Sequence, residues 1–411
     1  MEGSFLRLPF PNGVWEVLVS AEGVERGLFT PEGELPLYSF VRGRVIKKDD
    51  RLGGFFVDLG PFGEGFLPFG SAGGARVGEE AVFQVARESL EGKPPRLSRR
   101  FFLPLCGCDA VFDGRARVEF LGPPGEVEPL KKRAGELGLS LRVRDAAACL
   151  GSLEGARRLL ERVKGETLLW SGAYTLLLRA CGGTVRTPEG KLCRGLDLLR
   201  ETFGLEVPCR VESLRNLLRG FSPSREAGLL FKERVEFDGG FLLVGGAGYA
   251  WILDFNGSTA AAGVNRGGLL TAARLVKRGR LGGRLLLDPV GGSSAKDLKT
   301  EARRLFTPEG CSVLGFTNGG FLEVRCPLLG PSVSERLSRF EPSCSKRVKK
   351  DRLLLYEVLE RLYALRGEAA RLTLHPSREG LKEELPPLYE GRVEFSFDWR
   401  VEPDRFLLEV L

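Results

Sequence analysis

Residues 248–292 carry the clearest pattern of apolar and polar positions in the chain. Two short apolar runs, Ala250–Leu253 and Leu285–Leu287, are strand-like, and each is followed directly by one aspartate, Asp254 or Asp288. The segment between them, GLLTAARLVKRGR, has apolar residues at helical spacing. The pattern therefore predicts a strand, a helix and a second strand.

The two aspartates are candidates for a metal site. A right-handed crossover between parallel neighbouring strands would bring Asp254 and Asp288 to the same edge of a sheet. Two carboxylates there repel each other unless a cation lies between them, and carboxylates together with the amide of Asn256 suit Mg²⁺. The alternative is that both aspartates only end strands and begin turns, a frequent role of this residue.

Other stretches alternate with a period of two. Residues 15–37 read as a hairpin that is too short to be a domain. Residues 38–100 contain short strands broken by glycine turns at intervals of about 8–12 residues, which indicates a small barrel. Residues 101–205 mix strands and helices, including a helix from Leu153 to Lys164 that Ser152 would cap.

The last part of the chain predicts further strands and one long amphipathic helix. The strings SVLGF and GFLEVRC would complete the layer that holds the aspartates, and residues 341–411 read as a small α+β region. The basic run at residues 346–352 either solvates the start of a helix or contacts RNA.

Composition narrows the classes of function. A chain of 411 residues is too long for one core and predicts roughly two to four domains. The net charge of +7 favours a polyanionic partner mildly. The single histidine, His375, argues against histidine-based acid–base catalysis, so hydrolysis would depend on a metal and carboxylates. No GxGxxG or Walker string stands between a strand and a helix, which argues against a small-molecule nucleotide enzyme.

The nine cysteines are scattered, and Cys106 and Cys108 are the closest pair. This spacing indicates neither a disulfide framework nor a CxxC metal site, so the cysteines are interpreted as small buried residues in a reducing compartment. No apolar run approaches the ~20 residues of a membrane helix. The sequence therefore predicts a cytoplasmic protein that does not interact with membranes.

Several strings resemble the RNase E/G family of endoribonucleases. LDFNGS and GRLLLD, joined by a helix ending in LVKRGRLGG, resemble its catalytic region, and SVLGFTNGGFLEVR and PSVSERL resemble the family's segments downstream of that region. The resemblance covers most of the chain in the family's order. It implies that Asp254, Asn256 and Asp288 are catalytic and that the two aspartates bind Mg²⁺. The implied activity is single-strand-specific cleavage in RNA processing and decay, including rRNA processing, that leaves 5′-phosphate and 3′-hydroxyl ends.

The resemblance also implies an α/β and α+β multidomain fold. The N-terminal strands would pair with a segment that comes after two inserted regions. The implied divisions are an RNase H-like subdomain in two parts (1–37 and 206–247), an OB-fold RNA-binding barrel (38–100), a 5′-sensor-like α/β region (101–205), a DNase I-like catalytic subdomain (248–340) and a small C-terminal α+β region (341–411).

Within the barrel, the resemblance assigns RNA binding to three residues. Phe56 and Phe66 would stack on unpaired bases and Lys93 would contact a phosphate. Either phenylalanine instead faces the barrel core if the register differs. Phe55 and Phe56 are adjacent in one strand, so one points inward and the other outward.

The string VRDAAA resembles the family's loop that grips a 5′-monophosphate. Arg144 would be the arginine of this loop, but Asp145 stands where the family has threonine. A carboxylate repels a phosphate, so we expect no preference for 5′-monophosphorylated RNA. The alternative is an ordinary ion pair between Arg144 and Asp145 or another acid.

Other departures from the family concern zinc and charge. The family's CPxC motif is represented by Cys344 alone, so a zinc link between subunits is not expected, and any homo-oligomer would form by another route. Thr259, Gly291 and Asn318 stand where the family has charged residues near the metal. A non-catalytic or weakly catalytic protein that binds ribosomal RNA or ribosomes is therefore the alternative function.

Overall fold

The polypeptide forms several sheets and one closed barrel, connected by helices, in the computed structural model of the chain. This mixed α/β architecture, with a closed five-stranded barrel, confirms the fold class at that level, and the division into named subdomains stays a prediction. The structure describes residues 4–20, 23–90, 92–121, 127–164, 166–247, 250–279, 281–341, 346–365 and 367–411.

The N-terminal strands form an antiparallel meander that includes the predicted hairpin. These strands are β1 (Ser4–Phe10), β2 (Gly13–Ser20) and β3 (Gly23–Pro31). One face of the meander is apolar and buried, with Leu8, Trp15 and Val17 at the centre of its core. The polar residues that alternate with them, Arg7 and Glu16, are also buried and form an ion pair on the opposite face, so both faces of the meander are covered.

The barrel predicted for residues 38–100 is present. Its strands are β4 (Phe40–Asp49), β5 (Gly54–Asp58), β6 (Glu64–Pro68), β7 (Glu80–Arg87) and β8 (Arg96–Ser98), closed in the order β4-β5-β6-β8-β7. Gly54 and Gly65 lie where a Cβ atom would meet neighbouring side chains at 2.5 and 2.6 Å, so glycine permits the close approach of strands there.

The middle region comes after the barrel and contains a four-stranded sheet covered by helices. Its elements are β9 (Phe101–Leu105), β10 (Cys108–Phe112), β11 (Val118–Phe120), α1 (Val127–Leu137), β12 (Leu139–Val143), α2 (Ala146–Val163) and α3 (Gly172–Arg179). Phe40 and Leu168, at the entry to the barrel and the exit from the middle region, exchange two backbone hydrogen bonds of 2.8 Å each. The barrel and most of the middle region therefore form one insertion whose ends meet.

The start of α2 corrects one sequence prediction. The helix begins at Ala146 rather than near Leu153, and its cap is Asp145, whose carboxylate accepts a hydrogen bond from the Ala148 amide at 3.0 Å. Ser152 lies inside the helix and donates to the Cys106 carbonyl at 3.1 Å. The buried residues Leu153, Ala156 and Val163 lie on one face as predicted, but the helix extends about two turns further toward the N-terminus.

The segment between the middle region and the aspartates divides between two sheets, which was not predicted. Its elements are β13 (Val185–Thr187), α4 (Asp197–Phe203), β14 (Cys209–Val211), α5 (Leu214–Gly220), α6 (Pro223–Phe231), β15 (Arg234–Phe237) and β16 (Gly240–Ala247). Residues 207–247 were expected to pair with the N-terminal strands. β14 does join that sheet, in the order β14-β13-β1-β2-β3, but β15 and β16 pair with the strand of Asp254. Because β16 ends only a few residues before that strand begins, antiparallel pairing between them closes a short loop and is favoured.

The six-stranded sheet contains the predicted strand–helix–strand unit. Beyond β15 and β16 its elements are β17 (Ala250–Gly257), α7 (Ala261–Lys277), β18 (Gly283–Asp288), α8 (Ala295–Phe306), β19 (Ser312–Phe316) and β20 (Leu322–Cys326). The strand order is β15-β16-β17-β18-β20-β19. One face packs on α7 and α8. The other, which we call the open face, is exposed at Ile252 (50%) and Leu243 (41%).

The C-terminal part is a small α+β region, as predicted. Its elements are α9 (Val333–Leu337), β21 (Ser338–Glu341), β22 (Lys346–Lys349), α10 (Asp351–Ala364), β23 (Ala370–Leu374), α11 (Leu381–Glu384), β24 (Val393–Phe397) and β25 (Phe406–Val410). In the basic run, Lys349 pairs with Glu357 at 2.6 Å and Arg352 with Glu384 at 3.4 Å. Both cations pair with acids of the same region. This favours the interpretation that the basic run solvates the start of a helix over the interpretation that it contacts RNA.

Four disulfides in the described part of the chain correct the prediction that the cysteines remain reduced. The pairs are Cys106–Cys181, Cys108–Cys149, Cys193–Cys209 and Cys311–Cys326. The partners are 75, 41, 16 and 15 residues apart, so the fold brings them together and no local motif announces them. Cys344, the residue on which the predicted loss of the zinc link depends, lies outside the described residues.

The helices also bear on the prediction that the protein avoids membranes. Among the residues that the structure describes, no helix combines the length and the apolar character needed to cross a bilayer. The cytoplasmic location stays a prediction, and the four disulfides weaken one of its supports, the reduced cysteines.

Candidate active site on the open sheet face

Asp254 and Asp288 lie side by side on the open face. Strands β17 and β18 are parallel, and the two aspartates are register partners. Neighbouring strands are about 4.8 Å apart, and register partners point to the same face of a sheet. The predicted juxtaposition of the two carboxylates is therefore observed. Asp288 ends its strand, whereas Asp254 lies inside β17, which continues to Gly257.

Asn256 orients the first aspartate. It stands two residues after Asp254 on the same strand and therefore on the same face. Its Nδ2 atom donates a hydrogen bond to Oδ2 of Asp254 at 3.0 Å. This contact holds one oxygen of the Asp254 carboxylate in place.

Asn265 fixes the turn after the second aspartate, and the sequence analysis did not identify it. This side chain on α7 is only 1% exposed. Its Oδ1 accepts from the Val290 amide at 2.8 Å, and its Nδ2 donates to the Val290 carbonyl at 2.9 Å and to Oγ of Ser293 at 2.8 Å. Because Val290 is two residues after Asp288, these bonds hold the end of β18 in place. The predicted helix began at Gly268, whereas α7 begins at Ala261, so the sequence placed Asn265 before the helix and gave no signal for this role.

The donor set fits Mg²⁺ better than zinc. In the described part of the chain, no three side chains from histidine, cysteine, aspartate and glutamate come together as a metal site. Mg²⁺ is ordinarily bound by one or two carboxylates and retains several waters, so Asp254 and Asp288 are the residues that could hold it. Structural zinc requires about four nitrogen or sulfur ligands.

The barrel presents Phe56 and Phe66 on its outer wall. They are register partners on β5 and β6, both half-exposed, and their rings meet edge to face with centroids 5.7 Å apart. The adjacent Phe55 is buried in the barrel core. Of the two orientations that the sequence left open, the outward one is therefore observed for both rings.

Cations flank this aromatic pair. Lys47 is the register partner of Phe56, with its Nζ 5.8 Å from the ring centroid, and Arg96 is the register partner of Phe66. The row Lys47–Phe56–Phe66–Arg96 thus crosses the barrel wall. The predicted Lys93 is exposed in the connection before β8, three residues from Arg96. Lys47 and Arg96 were not predicted, because their alignment with the rings depends on the register of four strands.

Arg144 is engaged in an internal ion pair. Its Nη1 lies 3.0 Å from Oδ2 of Asp109, which is buried, and Arg179 approaches the other oxygen of the same carboxylate at 3.3 Å. Asp145 is used as the cap of α2. Of the two interpretations of Arg144, the geometry favours the ion pair, with Asp109 as its partner.

A cavity of about 190 Å³ lies on the opposite side of β17. It opens between β3, α3 and residues 327–333, and it is lined by Trp251, which points to the face opposite Asp254. Beneath it, Arg26 holds Glu309 with contacts of 2.6 and 2.7 Å. The cavity is therefore separate from the carboxylate pair and is not part of the candidate site.

No protein-family model matches this sequence, and no curated protein sequence matches it either. The resemblance to the RNase E/G family therefore depends on the quoted strings alone. The function must be argued from the geometry of the open face and of the barrel wall.

Proposed function

We propose that this protein is a Mg²⁺-dependent endoribonuclease that cleaves single-stranded RNA in RNA processing or decay. The observation that supports it most is the register pairing of Asp254 and Asp288 on an uncovered sheet face, with Asn256 bonded to the first of them. A protein that merely binds RNA gains nothing from two adjacent carboxylates on such a face, because they repel the phosphates.

In this proposal Asp254 and Asp288 hold the metal and Asn256 keeps the Asp254 carboxylate in one orientation. When bound, Mg²⁺ lowers the pKa of a coordinated water and offsets the negative charge that develops on the phosphate. Asn265 maintains the position of Asp288 through the turn at Val290. Cleavage would leave 5′-phosphate and 3′-hydroxyl ends, which is an expectation from the resemblance.

The barrel wall supports a single-stranded substrate. Unpaired bases stack on exposed aromatic rings whatever their sequence, and neighbouring cations hold the backbone. Phe56 and Phe66 with Lys47 and Arg96 provide this combination. Duplex RNA cannot offer its bases in this way, so the barrel favours unpaired regions. Its assignment as an OB fold is part of the proposal.

The test is incubation of a labelled, A/U-rich single-stranded RNA with and without Mg²⁺. We expect Asp254→Asn to lower the rate of cleavage by about 100-fold or more, because it removes half of the charge that holds the metal. Asp297→Asn, an exposed aspartate at the start of α8, is the matched control and should cleave normally. Cleavage that survives Asp254→Asn undiminished would refute the proposal.

The same RNA tests the barrel wall. Phe56→Leu and Phe66→Leu should each weaken RNA binding by about 1–3 kcal/mol, the usual contribution of one stacked base. Phe69→Leu is the control, because Phe69 is exposed on the barrel but lies outside the row. If Phe56→Leu and Phe66→Leu bind RNA as tightly as the wild type and the Phe69→Leu control, RNA does not use this wall.

The alternative is a non-catalytic RNA-binding protein that acts on ribosomal RNA or ribosomes. It is favoured by Thr259, which stands beside the candidate site where a cation would stabilise a phosphate. RNA binding with no Mg²⁺-dependent cleavage in the wild type would support this alternative. In both cases the proposed location is the cytoplasm.

A further inference from the structure

Two residues of the open face lie on β16 and β15, one and two strands away from Asp254, and these strands were not expected in this sheet. Phe241 is the register partner of Asn256, and Arg234 is the register partner of Leu243, which in turn pairs with Asp254. Register partners on antiparallel strands have Cβ atoms about 4.5–5.5 Å apart and share a face. Phe241 and Arg234 therefore lie on the open face, next to the candidate active site.

The two side chains form a stacked pair. The Cζ atom of Arg234 lies 3.6 Å from the centre of the Phe241 ring, which is van der Waals contact. The Arg234 side chain is 56% exposed, so the side of the guanidinium that faces away from the ring is accessible. A planar cation supported by an aromatic ring is a surface on which an unpaired base stacks.

The ion pair on Arg234 does not block this surface. Arg234 contacts Glu236 at 2.7 Å, and both side chains are more than half exposed. An ion pair of this kind contributes little to stability, because water competes for both charges. More than half of the Arg234 side chain stays exposed with this contact in place.

We propose that Arg234 and Phe241 form a binding subsite for one nucleotide next to the cleaved phosphodiester in single-stranded RNA. The base stacks on the guanidinium, whose charge also attracts the backbone. This inference rests on the proposed function for the identity of the neighbouring site. It goes beyond that function by naming the residues that position the substrate at the metal, independently of the barrel.

The experiment measures binding of a short single-stranded RNA in EDTA, where no cleavage occurs, for Arg234→Lys, Arg234→Gln and Phe241→Leu. Lysine retains the charge but cannot stack as a plane, so all three variants should bind about 5- to 100-fold more weakly, the equivalent of one lost stacked base. With Mg²⁺ present, KM should rise by a similar factor while kcat changes by less than about threefold, because the removed contact contributes binding alone.

Arg304→Lys is the matched control. Arg304 also belongs to the six-stranded sheet module and pairs with an acid, Glu301, at 2.6 Å, with 61% of its side chain exposed, but it lies on α8, which covers the opposite face. This variant should bind and cleave like the wild type. All substituted positions are exposed or half-exposed, so unchanged thermal unfolding should verify that the variants fold.

Three outcomes distinguish the subsite from the nuclease. Wild-type affinity in Arg234→Lys with weak binding in Arg234→Gln would show a purely electrostatic contact and overturn the stacking subsite. Wild-type affinity in all variants, with Mg²⁺-dependent cleavage intact, would remove the subsite and leave the proposed function standing. Weakened binding in the variants of a protein that never cleaves RNA would support the subsite and remove the nuclease.

Discussion

The middle region and the six-stranded sheet use their charged residues in opposite ways. In the middle region, Arg144 and Arg179 share the carboxylate of Asp109, and Asp145 caps a helix. In the six-stranded sheet, Asp254 and Asp288 stand together on the face opposite the one that α7 and α8 cover. Both regions were singled out by short strings of sequence. They differ in whether other groups of the protein already pair with the charged side chains that the strings pointed to.

This difference indicates how a candidate residue should be judged. An arginine that a buried carboxylate holds must break that contact before it can bind a phosphate, and the cost exceeds what an exposed contact returns. Adjacent carboxylates without a cation gain from recruiting one. The open face is therefore the better candidate for chemistry, and the middle region the better candidate for a structural role.

The largest expected effect tests the structural role of the middle region. Cys108 and Cys149 are fully buried and close a loop of 41 residues. Replacing both with alanine should lower the free energy of opening of this region by about 3–4 kcal/mol, because the unfolded chain gains freedom. Hydrogen exchange of the α2 amides measures this opening.

The pair Cys311→Ala and Cys326→Ala is the control for that experiment. Its disulfide lies in the six-stranded sheet module, so it should leave exchange in α2 unchanged. Alkylation of Cys108 and Cys149 after the protein is unfolded without a reductant would show that this disulfide does not form.

The next effect contrasts two kinds of carboxylate within the sheet module. Unlike Asp254, Glu309 is buried. Burial alone would raise the pKa of Glu309, but the ion pairs with Arg26 and then Lys277 together have the larger effect and hold this pKa below the ordinary value of 4.5. Arg26→Met should lower the free energy of unfolding by about 2 kcal/mol at pH 7. This is less than the loss typical of a buried pair, because Lys277 remains 3.7 Å away.

The direction of the Glu309 pKa shift determines how this loss of stability depends on pH. A carboxylate whose pKa is depressed by folding stabilises the protein above the ordinary pKa, and this contribution disappears as the pH falls through the folded pKa. The difference between wild type and Arg26→Met should therefore be constant above pH 4.5 and shrink in more acidic solution. Urea unfolding at a series of pH values measures it, and a difference that grows on acidification would contradict the ion pair.

A smaller effect tests the support of the metal site. Asn265→Asp keeps the acceptor for the Val290 amide but replaces the donor that bonds Val290 and Ser293. Groups that hold a metal ligand in place typically change affinity by about 10- to 100-fold, and we expect a loss of this size in Mn²⁺ affinity, measured by electron paramagnetic resonance. Ser293→Ala, which removes one of the three bonds, should lose less. Unchanged Mn²⁺ affinity in both variants would show that this turn does not support Asp288.

The smallest effect is expected at Arg144. Arg144→Gln should leave the ratio of cleavage rates for 5′-monophosphate and 5′-hydroxyl RNA within about twofold of the wild-type ratio, since Asp109 already neutralises the arginine. Parallel cleavage assays on the two RNAs measure this ratio. A strong 5′-monophosphate preference that this variant abolishes would place Arg144 in a functional sensor.

The sequence predicted those features whose signal is local. Asp254 and Asp288 come after apolar runs separated by one helix, and right-handed crossover geometry then brings them together. The barrel was predicted from the alternation of apolar and polar residues and from the glycine turns of residues 38–100. Phe56 remained undecided between core and surface, because the register of β5 is set by its partners and not by its own residues.

The features that were missed depend on contacts between distant segments. Cys106 and Cys181 are 75 residues apart, and nothing near either one indicates the other. Arg234 and Phe241 lie on the same sheet face as the carboxylate pair because β16 pairs with β17 instead of joining the N-terminal sheet. Asp145 was interpreted only as the residue that replaces the family's threonine, although aspartate is also among the best residues for the N-cap of a helix.

The two hydrogen bonds between Phe40 and Leu168 have a consequence for how such a protein could arise. Where an inserted segment enters and leaves at adjoining points, it can be gained or lost without changing the fold of the rest of the chain. A short linker in place of residues 41–167 would then yield a minimal protein that retains the open sheet face.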